Sequence, residues 1–149
     1  MSLLQRLDDD LRAAIKGSEK LKVSTLRMIK AALKNRQVEK RKELSEEEII
    51  TVISSLTKQA RESIEEFTKG GREDLVEREK QELAILQSYL PEQVTPEELD
   101  RLIIEVIKES SAAGLKDSGK VMRLLMPRVR GVADGRIVNQ RVKEILERS

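Results

Sequence analysis

Residues 45–71, SEEEIITVISSLTKQARESIEEFTKGG, spell out a helix from its start to its stop. Ser45 stands three residues before Glu48, the spacing of a capping box, in which each side chain satisfies a backbone N–H of the other. Glu46, Glu47 and Glu48 also place negative charge at the positive end of the helix dipole. Ile49, Val52, Ile53, Leu56, Ala60, Ile64 and Phe67 then recur at intervals of three and four, which puts them on one face. Gly70-Gly71 ends the run.

The same periodicity extends outward in both directions. Toward the N-terminus, Ser2 is placed to cap a first helix with Leu4, Leu7, Leu11 and Ile15 on one side, ending near Gly17. Ser18 is expected to open a second, with Leu26, Ile29 and Leu33 inward, fading in the charged run around Lys40. Toward the C-terminus, a fourth helix buries Leu75, Val76, Leu83, Leu86 and Leu90 and must end near Pro91, because a residue before proline is pushed out of the helical region. In Pro91–Pro96, PEQVTP, two prolines mark a boundary, and Thr95 and Pro96 supply a cap and a first-turn proline for a fifth helix. That helix uses Leu99, Leu102, Ile103, Val106 and Ile107, and is expected to close at Gly114. GKVMRLLMPRVRG reads as a short helix broken by Pro127 and closed by Gly131, and Asp134 is an N-cap for the next one. No alternating strand pattern appears. The expected fold is all-α: an N-terminal helical hairpin or bundle over residues 1–92, then a small three-helix domain over residues 93–149.

Composition narrows the function. Of the 149 residues, 38% are apolar and the aromatics are only Phe67 and Tyr89, so the core must be aliphatic. The chain has no Cys and no His. That removes disulfides, thiolate chemistry, imidazole acid–base catalysis and the usual zinc sites. Neither a cofactor nor a metal is expected, and the balance leans away from an enzyme. No stretch approaches the ~20 apolar residues of a membrane span, so no membrane partner is expected. The start, MSLLQRLDDD, lacks the pattern of a secretory signal. On these grounds a cytoplasmic protein is expected.

A net charge of +2 hides strong zoning. Residues 20–42 hold nine basic residues against one acidic, residues 43–109 hold eight against eighteen, and residues 116–143 hold eight against two. Such zoning allows a polyanion to bind one surface and be repelled by another. Within 116–143, Lys120 and Arg123 share a helix face, Arg128 and Arg130 lie in the bend beside Gly131, and Arg136 follows Asp134. These residues form either a face for RNA phosphates or the solvated surface of a small helical domain. Val121, Met122, Leu125 and Met126 belong to the core. In the second helix, Arg27, Lys30, Lys34 and Arg41 form a partial stripe, and ion pairs with the acidic third or fourth helix are its plain structural explanation. The pairs Ser54-Ser55 and Ser110-Ser111 invite comparison with amidase nucleophiles, but no Gly-rich loop accompanies them to build an oxyanion hole. Neither GxGxxG nor GxxxxGK[ST] occurs.

GKVMRLLMPRVRGVADGRIVNQRV, SYLPEQ at Ser88–Gln93 and the opening SLLQRL with LRMIKAALKN together resemble the YqeY-like family over essentially the whole chain. That family shares its C-terminal helical domain with the tail of the GatB component of the glutamine-dependent aspartyl/glutamyl-tRNA amidotransferase. The resemblance implies an all-helical protein with a small C-terminal three-helix domain. It also implies a tie to tRNA-dependent amidation in which the tail holds tRNA and performs no chemistry. The positions it points to are Lys120, Arg123, Arg128, Arg130, Gly131, Asp134 and Gly135. Gly131 is expected to give backbone freedom and Asp134 to cap its helix.

The expected function is a tRNA-binding accessory protein linked to tRNA-dependent amidation, without catalysis of its own. Its expected partners are tRNA and the aminoacyl-tRNA amidation machinery. Its RNA-facing set is Lys120, Arg123, Arg128, Arg130, Gly131 and Arg136. One alternative is a protein-interaction module that docks on an amidotransferase or synthetase through the acidic middle. The other is an amidotransferase-like carbon–nitrogen ligase with glutamine as amide donor.

Overall fold

The computed structural model describes residues 2–148, and among these every regular element is helical. The order is α1 (Leu3–Lys16), α2 (Lys20–Lys40), α3 (Glu46–Lys69), α4 (Glu73–Gln87), α5 (Pro96–Ser110), a 3-10 turn (Leu115–Asp117), α6 (Ser118–Val129) and α7 (Gly135–Glu147). The chain packs as two units, one up to Leu90 and one from Pro91 onward.

In the first unit α1 packs on α2 and α3 on α4, with α2 also touching α3 and α4. Two of the three caps expected here are formed, Ser2 with Gln5 on α1 and Ser45 with Glu48 on α3. The shared core contains Leu7, Leu26, Ile29, Ile53 and Leu86. Tyr89 joins it from the turn after α4, because that helix ends at Gln87 and the chain bends back. Its hydroxyl donates to Asp10 Oδ2 at 2.5 Å. Burial, and then the neighbouring carboxylate, push the phenol pKa well above its usual value. Arg6 covers the Tyr89 ring at 4.7 Å from its centroid and donates to the Ser88 carbonyl at 2.7 Å, fastening α1 to the end of α4. Ser18 does not open α2. It takes a left-handed conformation, φ 54°, in the link between helices, and α2 starts at Lys20 without a side-chain cap.

In the second unit α5, α6 and α7 enclose Leu99, Ile103, Val106, Val121, Leu125, Val129, Val138, Val142 and Leu146. Thr95 caps α5 by accepting from the Glu98 N–H at 3.1 Å, with Pro96 in the first turn. The helix closes at Ser111, φ 55°, earlier than Gly114, which instead leads into the 3-10 turn. Nor does Pro127 break its helix: α6 continues to Val129. The proline forfeits only the bond its own N–H would have made to the Arg123 carbonyl, near the end of the helix, and buried Val129 holds that last turn in the core.

Past α6 the backbone makes a type II turn. Arg130 lies at φ −59°, ψ 125°, Gly131 at φ 82°, and the Val132 N–H donates to the Val129 carbonyl at 3.0 Å. The third position of such a turn needs positive φ, which a Cβ opposes. Two bonds lock the turn to the preceding strap, from the Val94 N–H to the Val132 carbonyl at 2.8 Å and from Gln93 Nε2 to the Gly131 carbonyl at 2.9 Å. Gly131→Ala is therefore expected to cost about 1–2 kcal/mol, read as a lower midpoint in urea. An unchanged midpoint would show that the turn accommodates a side chain.

Candidate nucleic-acid interface

The sequence of α6 sets which of its side chains face solvent. Val121, Leu125 and Val129, four residues apart, are fully buried. Lys120, Arg123, Leu124 and Pro127 are turned outward and exposed. Lys120 and Arg123 are ~4.5 Å apart along the axis. Arg130 is exposed at the first corner of the type II turn that follows the helix. None of Lys120, Arg123 and Arg130 makes an ion pair among the described residues, and Lys116, exposed in the 3-10 turn before α6, makes none either. Leu124 of α6 and Ile137 of α7 are exposed apolar side chains of the same unit, 44% and 56% accessible.

The other expected residues are placed differently. Arg128 belongs to the last turn of α6, not to the bend, and its guanidinium reaches Glu109 of α5 through two bonds of 2.6 and 3.3 Å. That pairing raises its pKa and engages its charge within the domain. Gly131 is buried, with its carbonyl taken by Gln93. Arg136 is exposed in the first turn of α7, where its backbone N–H donates to Asp134 Oδ1 at 2.9 Å, so Asp134 is the helix cap expected of it. Arg141 is held by Asp100 at 2.7 and 2.8 Å and by Glu144 at 2.8 Å. The Asp100 carboxyl is correspondingly held below its usual range, chiefly by the hydrogen bond from Arg141.

Of the basic run, then, Arg128 and Arg141 serve as clamps from α6 and α7 to α5. Glu109 and Asp100, the partners that engage them, went unnoticed in the sequence. They lie 19 and 41 residues away, and no local spacing announces such pairs. What remains outward is a cationic surface centred on α6, suited to phosphate groups. The serine pairs are built into helices: Ser54 and Ser55 lie within α3, Ser110 ends α5 and Ser111 caps it. Among the described residues no group of three or more Asp or Glu gathers as a metal site, and no helix is long and apolar enough to cross a membrane.

On α2, Lys30 pairs with Asp8 of α1 at 2.5 Å and Arg36 with Glu39 at 2.8 Å. Lys40 pairs with Glu48 of α3, whose carboxyl is lowered to about 2, first by that bond and then by its capping contacts with Ser45. Of these pairs only Lys40–Glu48 reaches the acidic third helix; Lys30 pairs with α1 and Arg36 within α2, so pairing to α3 or α4 does not account for the stripe Arg27, Lys30, Lys34 and Arg41.

A family model described as Yqey-like protein matches residues 4–146 of the chain. Curated relatives named "Altered inheritance of mitochondria protein 41, mitochondrial" are found in several fungi. The one from Pyrenophora tritici-repentis is 31% identical over 97% of this chain and 81% of its own length. Those from Kluyveromyces lactis and Lachancea thermotolerans are 35% and 32% identical, over 69% and 76% of this chain. The chain spans only 57% and 65% of the length of these two. Their mitochondrial names overturn the expectation of a cytoplasmic protein. That expectation rested on the lack of a secretory signal, which does not choose between cytosol and organelle.

Proposed function

The chain belongs to the YqeY-like family, and from that starting point we propose that it is a tRNA-binding accessory protein tied to tRNA-dependent amidation, with no chemistry of its own. The observation that carries this reading is the set Lys120, Arg123 and Arg130, exposed and without an ion pair among the described residues while Arg128 and Arg141 are engaged as clamps. Cations held on a helix and on the turn that closes it are placed to meet a phosphate backbone, and the released counterions drive association. The resemblance to the amidotransferase tail supplies the choice of tRNA among polyanions. Recognition rests on shape and phosphates. Base stacking has little to work with, since Tyr89 is 4% exposed and its hydroxyl is bonded to Asp10.

Binding to folded tRNA is expected to weaken steeply with salt. With three to five phosphates contacted, log K falls against log salt with a slope of roughly −2 to −5. Fluorescence titration between low and physiological salt measures it. A slope near zero, or equal binding of heparin and tRNA, would contradict the proposal.

A further inference from the structure

The part of the α2 cluster that ion pairing leaves unexplained has an order of its own. Lys20, Arg27 and Lys34 are spaced seven residues apart in α2, and Arg41, seven further, caps its end. Seven residues are nearly two helical turns, so these side chains share one side of the helix at intervals of ~10.5 Å. The opposite side carries the buried Thr25, Leu26, Ile29 and Leu33. All four cations are exposed, and none has an ion-pair partner among the described residues. The paired cations of the helix, Lys30, Arg36 and Lys40, are distinct from this row. Shallow grooves of about 470, 410 and 430 Å³ lie beside it, rimmed in turn by Lys20 and Arg27, by Lys30 and Lys34, and by Lys34, Arg41 and Lys42.

Ion pairs with α3 or α4 would have drawn these side chains inward, and the helix C-terminus accounts only for the last of them. A regular line of free cations ~30 Å long is what a phosphate backbone requires of its partner. Docking of a protein or a lipid surface would call for an apolar or aromatic anchor among the charges. The large exposed apolar side chains beside the row, Ile15 and Leu4 of α1 and Val38 of α2, stand one to a groove, and both aromatics of the chain lie elsewhere, on α3 and after α4. We infer that the Lys20–Arg27–Lys34–Arg41 face of α2 is a second RNA-backbone contact, adding phosphate contacts to those of α6. The inference rests on the tRNA-binding reading and extends it to the first unit.

The test compares the full chain with Arg27→Ala/Lys34→Ala and with Arg123→Ala/Arg130→Ala, titrated with folded tRNA over a salt series, with polyglutamate and anionic phospholipid vesicles as parallel probes. Alanine suits the helical positions 27, 34 and 123, and unchanged thermal midpoints confirm intact folds. The expected result is that the α2 double variant binds tRNA at least fivefold more weakly and loses about two units of salt slope, one per cation removed. Wild-type affinity and slope in the α2 variant, with loss confined to the α6 variant, would overturn this inference and leave the proposed function standing. No loss in either variant, or no tRNA binding by the parent chain, would overturn both. Loss of polyglutamate or vesicle binding alone in the α2 variant would overturn the inference and assign the face to an acidic protein or a membrane.

Discussion

Arg123→Glu combined with Arg130→Glu lowers the affinity for folded tRNA at least tenfold, about 1.4 kcal/mol, while the thermal midpoint stays nearly constant. Both side chains are exposed and neither is tied to a carboxylate among the described residues, so reversing them costs the fold little. Arg128 would be a poor choice for the same experiment. A glutamate there would face Glu109, and the α5–α6 clamp would become a repulsion. Any loss of binding would then be confounded with loss of structure. Retained affinity in the Arg123/Arg130 variant would remove α6 from the RNA surface.

Leu125→Ala lowers the unfolding free energy of the second unit by about 2–5 kcal/mol. Leu125 is fully buried at the centre of a core made almost wholly of Val, Leu and Ile, with Met122 and Met126 packed at its edge. We propose that residues 93–149 fold alone, since the strap bonds from Gln93 and Val94 and all three helices lie within that segment. A unit this small holds only a few kcal/mol in reserve, so the substitution is expected to leave it largely unfolded at 37 °C. Circular dichroism of the fragment would follow both points. A noncooperative melt of the unsubstituted fragment would mean that its core depends on the rest of the chain.

Local chemistry was legible in the sequence, and chemistry at a distance was not. Ser2, Ser45, Thr95 and Asp134 cap their helices as their neighbours require, because a cap is made within three residues of itself. Val121 and Leu125 are buried as the spacing along α6 demands. Ser18 has the chemistry of a cap, but the Glu19 N–H bonds to the Ala14 carbonyl and the reversal falls on Ser18 itself. Pro127 signals a break, yet the core grips Val129 beyond it and the helix continues. The candidate surface divides along the same line. Lys120 and Arg123 on one exposed face follow from spacing alone. That Arg128 is spoken for by Glu109, and Arg141 by Asp100, depends on contacts between helices.

Photo-crosslinking of the full chain to folded tRNA, followed by mass spectrometry of the crosslinked peptides, tests the RNA surface most directly. The expected result is a set of RNA-bearing peptides from residues 116–136, accompanied by peptides from α2 and competed away by added salt. Crosslinks spread evenly over the acidic residues of α3 and α4, or absent from residues 116–136, would contradict it.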